Sequence, residues 1–115
     1  MTSNKYSAVK TKIDGYDFDS KAEGRRYREL CLLVRAGEIT NLQVHPVYIL
    51  QEAFEYHGKK LQAIKYEGDF YYWENGKEVI EDVKGGRATQ TDLFKVKAKM
   101  FKKNYPNIDF RIVEA

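Results

Sequence analysis

Apolar and polar residues alternate along this chain with two different periods, which predicts a protein containing both helices and strands. After Ser20, apolar residues recur every three to four positions, and Glu23 completes a capping box with this serine. The first helix is therefore predicted from this cap to about Ala36, with Gly37 ending it. Glu23 lies four residues before the apolar Tyr27. Its carboxylate either only caps the helix or points from the inward face toward a sheet.

Runs with a period of two residues predict strands in the middle and at the end of the chain. The predicted strands are Val47–Leu50, Leu61–Trp73, Val79–Lys84 and Ile108–Val113. Glu55–Lys60 is predicted as a hairpin loop, and Asn75-Gly76 is a strong signal for a tight turn between antiparallel neighbours. With this turn as the centre, Asp69 and Asp82 lie nearly opposite each other. Two carboxylates held this close favour a cation between them.

A second helix completes the predicted order α-β-β-β-α-β. It begins at a cap on Thr89 or Thr91 and ends near Asn104, with one apolar and one lysine-rich side. Residues 1–12 are predicted as a loosely held basic arm, which leads into a turn at Asp14-Gly15. The 115 residues are enough for one core, so residues 1–115 are predicted to form a single domain.

Composition excludes several classes of protein. Hydrophobic residues make up 43% of the chain and charged residues 32%, as in soluble globular proteins. The sequence contains no apolar run near the roughly 20 residues that cross a bilayer, so no membrane partner is expected. The N-terminus has no apolar signal sequence, and the single Cys31 cannot form an internal disulfide, which predicts a cytoplasmic protein. One Cys with His45 and His57 gives no recognisable zinc spacing.

Positive charge is concentrated near the C-terminal helix. Lys84–Lys103 contains seven basic residues and one acid, a charge of +6, whereas the whole chain has +3. This stretch is either a surface for a polyanion such as DNA or simply a solvated lysine-rich helix. The candidates for phosphate contact are Arg87, Lys95, Lys97 and Lys99. The aromatic residues of Tyr71–Trp73 either stack on exposed bases or belong to the core.

The acidic residues around the predicted sheet suggest a chemistry. Strand alternation places Asp82 and Lys84 on one face and Glu81 on the other. With Asp69 and the helical Glu23, they give three hard oxygen donors and an amine, a set that suits Mg²⁺ or Mn²⁺. Hydrolysis of a phosphodiester needs an activated water and charge relief at the phosphate. Carboxylates that hold such cations supply most of this, and a nearby lysine can position the water or offset charge on the phosphate.

These four residues match the signature of the PD-(D/E)xK nucleases, and the whole chain resembles a small phage and prophage family catalogued as DUF1064. The stretches that carry the resemblance are Gly15–Glu23, Arg26–Leu30, Gly37–Ile39, Tyr66–Phe70, Glu81–Gly85, Thr91 and Phe94–Lys97. The resemblance implies an α/β fold with a restriction-endonuclease-like core, in which helices flank a mixed central sheet.

The same resemblance implies the roles of individual residues. The implied metal ligands are Glu23, Asp69, Asp82 and the Val83 carbonyl, with Mg²⁺ as the cofactor and Mn²⁺ as a substitute. Lys84 would be the catalytic lysine. The family often carries Gln where this chain has His45, which leaves the role of this histidine open between a site residue and a structural or surface residue.

The leading functional hypothesis is a Mg²⁺-dependent endodeoxyribonuclease that nicks DNA or cuts branched DNA, in the cytoplasm of a phage-infected or lysogenic bacterial host. A domain of this size reads little sequence, because sequence-specific contacts need additional surface in the grooves. A homodimer would cut two strands and a monomer would nick one. Two alternatives are a non-catalytic nucleic-acid-binding module on the same fold and a restriction-type nuclease with a short recognition site.

Overall fold

A computed structural model describes residues 10–85 and 90–114 of the chain. Two helices and ten strands make up this part, which confirms the mixed α/β prediction but with more strands than expected. The helices are α1 (Lys21–Arg35) and α2 (Asp92–Asn104). The strands are β1 (Thr11–Ile13), β2 (Tyr16–Phe18), β3 (Thr40–Val44), β4 (Val47–Gln51), β5 (Phe54–Tyr56), β6 (Lys59–Leu61), β7 (Ile64–Glu67), β8 (Phe70–Glu74), β9 (Lys77–Lys84) and β10 (Asp109–Glu114).

Both predicted helix caps are present. The Ser20 Oγ accepts a hydrogen bond from the Glu23 N–H at 3.2 Å, and α1 ends before Gly37, whose φ of +78° suits glycine. Thr91, one of the two predicted caps of α2, accepts a hydrogen bond from the Phe94 N–H at 3.1 Å. Thr89 lies outside the described residues. The caps therefore fix where each helix starts, as the sequence predicted.

The prediction of a loose arm over residues 1–12 is wrong for its last two residues. Thr11 and Lys12 belong to β1, which pairs antiparallel with β2 across the predicted Asp14-Gly15 turn. Three residue pairs form this hairpin, so Thr11 and Lys12 are not part of a loose arm. Residues 1–9 lie outside the described residues.

The central sheet has four strands in the order β10-β9-β8-β3. β9 pairs parallel with β10 and antiparallel with β8, which in turn pairs antiparallel with β3, so the sheet is mixed, as predicted. The Asn75-Gly76 turn joins β8 and β9 in the predicted register. The sequence pattern does not predict β3, because Asn41 has a φ of +56° and a register shift between Thr40 and Gln43 interrupts its alternation.

The single long strand predicted over Leu61–Trp73 is wrong, because the chain bends at Gly68 between β7 and β8. A β-carbon on Gly68 would lie 2.8 Å from the Ile80 Cδ1, so any larger residue at this position would have to displace the Ile80 side chain. The chain also changes direction between β3 and β4, where His45 has a φ of +56°. Backbone hydrogen bonds join the two bends: the His45 N–H donates to the Asp69 carbonyl at 3.0 Å, and the Gly68 N–H donates to the Pro46 carbonyl at 2.9 Å.

Each face of the central sheet carries its own core. The α1 side contains Phe18, Tyr27, Leu30, Ile39, Phe70, Tyr72, Val79 and Val83. The other side, with α2 and β4, contains Leu50, Tyr66, Tyr71, Ile80 and Phe101. Tyr71 and Tyr72 are thus core residues rather than exposed base-stacking residues.

One buried ion pair fastens α1 to the sheet. Glu81 is fully buried on the α1 side, as alternation predicted, and accepts two hydrogen bonds from Arg26, at 2.9 and 2.7 Å. The Tyr72 hydroxyl donates to the same carboxylate. Arg26 is itself half-buried, so it joins α1 to the sheet rather than lying fully exposed on the helix surface.

Candidate metal centre

The register of β8 and β9 brings two acids together at the strand bend. Phe70 pairs with Glu81, so Asp69, one residue earlier, lies beside Asp82. The Asp69 N–H donates to the Glu81 carbonyl at 3.0 Å, which continues the ladder past the bend. The Asp69 Oδ2 accepts a hydrogen bond of 2.6 Å from the Val83 N–H. These backbone contacts fix the Asp69 carboxylate against β9.

Glu23 reaches the same place from the first turn of α1. Its side chain is on the inward face of the helix, and the residue is only 8% exposed. The Glu23 Oε1 lies 4.0 Å from the His45 Nε2 and, among the described residues, has no hydrogen-bond partner although it is buried. A buried carboxylate oxygen without a partner is costly, so this oxygen is suited to a ligand.

Donor atoms of Glu23, His45 and Asp69 all lie within 4.8 Å of one another. Within residues 10–85 and 90–114, this is the group of acidic, histidine or cysteine side chains close enough to hold one ion. It contains two of the carboxylates predicted from sequence and adds the histidine whose role was open. The signal in the sequence was weak, because His45 and Asp69 meet only through the pairing of two bends.

Asp82 lies beside this group but has other partners. Its Oδ1 is 3.0 Å from the Lys84 Nζ, and its Oδ2 accepts a hydrogen bond of 2.6 Å from the Tyr66 hydroxyl. The Lys84 Nζ also lies 4.1 Å from the centre of the Phe94 ring, a cation–π contact that holds the amine near the acids. The predicted pair of Asp82 and Lys84 is therefore on one face of β9.

The acids repel one another in the metal-free protein. Burial, then the charge of Glu23, raises the pKa of Asp69 to about 8, although the Val83 N–H and Lys84 act in the opposite direction. Burial, then the charge of Asp19, raises the pKa of Glu23, and the charge of Asp82 adds to this effect, whereas hydrogen bonds with the Asp19 backbone and the Asp69 side chain act in the opposite direction. A divalent cation would relieve this repulsion, and the oxygen donors and the orphaned Oε1 fit such an ion.

The predicted phosphate-contact residues lie on and before α2. Lys95 and Lys99 are exposed and one helical turn apart, so they share one side of the helix. Lys97 is half-buried and lies two residues from each, on a different side. The three lysines therefore do not share one lysine-rich face. Arg87 lies outside the described residues.

The predicted apolar side of α2 is only partly buried. Leu93 and Val96 are exposed, whereas Ala98 and Phe101 are buried against the sheet. Neither α1 nor α2 is long and apolar enough to cross a membrane, a finding that covers the described part of the chain.

Fold and site together define an α/β protein with a mixed sheet and a carboxylate–histidine cluster where two strand bends meet, with Glu23 buried and His45 and Asp69 half-buried. The chain belongs to the family described as Protein of unknown function (DUF1064), which matches residues 3–115. No curated protein and no solved structure matches the chain.

Proposed function

We propose that this protein is a metal-dependent DNA endonuclease with a restriction-endonuclease-like core, which nicks DNA or cuts branched DNA. The observation that carries the proposal is the buried Glu23 Oε1, which has no hydrogen-bond partner among the described residues and lies near the Asp69 carboxylate and next to an acid–lysine pair. Purely structural acids are paired, as Glu81 is with Arg26. A buried oxygen that no protein group satisfies is expected where a cation binds.

The acidic residues of the site have different proposed roles in phosphodiester hydrolysis. Glu23 and Asp69 would hold a divalent cation, with Asp82 and the Val83 carbonyl at its border. The cation supplies charge neutralisation and a more acidic water. Tyr66 fixes the Asp82 carboxylate by its hydrogen bond.

Lys84 supplies the amine of the proposed reaction. Its Nζ is held between the Asp82 carboxylate and the Phe94 ring, at 3.0 and 4.1 Å. From this position an ammonium group can orient the attacking water or stabilise negative charge on the phosphate. Phe94 lies at the start of α2 and immediately precedes Lys95. The contact between Lys84 and Phe94 therefore connects the site to α2, the helix that carries the candidate phosphate contacts. This connection favours DNA as the substrate.

Cleavage of supercoiled plasmid and four-way DNA junctions, with and without Mg²⁺, tests the proposal. The wild type is expected to nick or cut only with the metal. Asp82→Ala and Lys84→Ala are expected to lose cleavage by about 10²-fold or more. Lys84→Ala should keep DNA binding, because a single phosphate contact contributes little to affinity. Lys77→Ala, at the exposed start of the same strand, is the matched control and should cut normally.

Three outcomes separate the proposal from its alternatives. DNA binding by the wild type without cleavage at any metal concentration would favour a non-catalytic binding module. Discrete bands from linear DNA would indicate a restriction-type enzyme with a short site. Full activity of Lys84→Ala would remove this lysine from the mechanism. Measuring the protein's mass in solution decides between a monomer that nicks one strand and a homodimer that cuts two. The compartment proposed for this enzyme is the cytoplasm of the bacterial host.

A further inference from the structure

We propose that Glu23, His45 and Asp69 bind one ion together, and that the imidazole makes this centre prefer Mn²⁺ to Mg²⁺. This inference rests on the proposed function, because it specifies the cofactor of the same site. It assigns His45, which the sequence left open, as the residue that selects the metal.

The distances fit one ion between the three side chains. Two ligands that are each about 2.1 Å from the same ion can be at most about 4.2 Å apart. The His45 Nε2 and the Glu23 Oε1 are 4.0 Å apart. The full set of donor atoms, which includes Asp69, lies within 4.8 Å, so small side-chain rotations are enough to close it around an ion.

The backbone aims the imidazole at the acids. His45 has a φ of +56°, and its N–H donates to the carbonyl of Asp69 at 3.0 Å, so histidine and aspartate are attached to each other. The ring packs against Phe18, with 5.6 Å between ring centres. A surface histidine has no such restraint, whereas a metal ligand benefits from one because little side-chain freedom is then lost on binding.

The other candidate ligand is already engaged. Each carboxylate oxygen of Asp82 has a partner, Lys84 on Oδ1 and Tyr66 on Oδ2. The Glu23 Oε1 has none within the described chain. An ion bound to the Glu23 Oε1 is therefore expected to be coordinated by His45 and Asp69 before Asp82.

A nitrogen ligand changes which metal binds best. Mg²⁺ requires near-ideal octahedral geometry and is bound almost entirely by oxygen. Mn²⁺ binds the same carboxylates and, as a first-row transition metal of the Irving–Williams series, also binds at sites with nitrogen donors. A site with one imidazole and two carboxylates accepts Mn²⁺, which tolerates both donor types. The selection should disappear when an oxygen donor of similar size replaces the ring.

Binding of Mn²⁺ alone, followed by electron paramagnetic resonance on untagged protein, tests this assignment. Wild-type protein with bound Mn²⁺ should show coupling to the ¹⁴N nucleus of an imidazole in pulsed spectra. The chain has two histidines. The second, His57, is exposed in the turn between β5 and β6, so His57→Gln is the matched control and should keep the coupling.

Affinity measurements give the second readout. His45→Gln should lose the ¹⁴N coupling and bind Mn²⁺ at least about tenfold more weakly. Its affinity for Mg²⁺, measured by competition, should change much less, so the preference for Mn²⁺ falls. His45→Asn provides a second variant, because asparagine readily adopts positive φ but is too short to reach the ion. Circular dichroism in EDTA checks that both fold.

The inference and the proposed function can fail separately. Absence of ¹⁴N coupling in the wild type, or equal weakening of Mn²⁺ and Mg²⁺ binding in His45→Gln, would overturn the assignment even if DNA is cut. Coupling that persists in His57→Gln and disappears in His45→Gln would uphold it even if no DNA is cut. Because wild type and His57→Gln already show whether His45 coordinates, the test does not depend on the folding of a His45 variant.

Discussion

Replacing Asp69 by Asn is expected to stabilise the metal-free protein, although it removes a ligand of the candidate centre. Burial and the charge of Glu23 raise the pKa of Asp69 from 3.8 to about 8 in the folded state. Near neutral pH, the unfolded chain has an ionised Asp69, whereas the folded protein must take up a proton or hold a repelled charge. Asparagine removes this conflict and keeps an oxygen acceptor for the Val83 N–H.

The sign and size of the effect follow from the two pKa values. Because folding raises the pKa, this carboxyl favours the folded state below about pH 4 and loses that contribution as the pH rises to about 8. Each pH unit between the values corresponds to about 1.4 kcal/mol, which sets an upper limit of roughly 6 kcal/mol. Glu23 shares the repulsion and polar surroundings screen it, so we expect a gain of about 2 kcal/mol at about pH 8.

Urea unfolding in EDTA at about pH 5 and about pH 8 measures this effect. The wild type should lose stability between the two conditions, and Asp69→Asn should lose less and exceed the wild type at the higher pH. Glu81→Gln is the matched control, since this buried carboxylate is paired with Arg26 and its loss should destabilise the protein by about 2 kcal/mol.

Added metal gives an independent check on the same variant. Mn²⁺ at 100 times its dissociation constant stabilises a folded protein by about 2.7 kcal/mol. The wild type should gain this stability and Asp69→Asn should not. If Asp69→Asn is no more stable than the wild type at about pH 8 without metal, then the acids do not repel one another as the structure indicates.

Two further predictions concern the DNA surface and the strand bend. Replacing the three α2 lysines with Glu should weaken DNA binding and flatten its salt dependence. Each lost phosphate contact removes about 0.9 from the slope of log K against log salt concentration. An unchanged slope would mean that DNA binds to another surface. The lysines are Lys95, Lys97 and Lys99. Gly68→Ala should lower the free energy of unfolding by about 1–3 kcal/mol, because its β-carbon meets buried Ile80 at 2.8 Å. Unchanged unfolding in urea would mean that Ile80 can repack.

Local sequence signals predicted the parts of the fold that depend on neighbouring residues. The Ser20 cap and Gly37 bound α1 as predicted, and Asn75-Gly76 set the register of β8 and β9. This register is what places Asp69 beside Asp82. Capping and tight-turn chemistry act over three or four residues, so a single sequence is enough to identify them.

The bends were not predictable in this way. Asn41 and His45 interrupt β3 and its junction with β4 by adopting positive φ, which breaks the period of two on which strand prediction depends. Gly68 lies at the bend of the partner strand, where a β-carbon would come within 2.8 Å of Ile80, twelve residues away in the sequence. The meeting of His45 with Asp69 is a product of long-range pairing, so the sequence identified the acids of the site but not the role of its histidine.

The buried pair of Arg26 and Glu81 has a consequence for how the two sides of the molecule move. Arg26 is one helical turn after Glu23 in α1, and Glu81 immediately precedes Asp82 in β9. The contact between Arg26 and Glu81 therefore sets the distance between Glu23 on α1 and Asp82 on β9. We therefore expect α1 and β9 to move together if ion binding shifts the cluster.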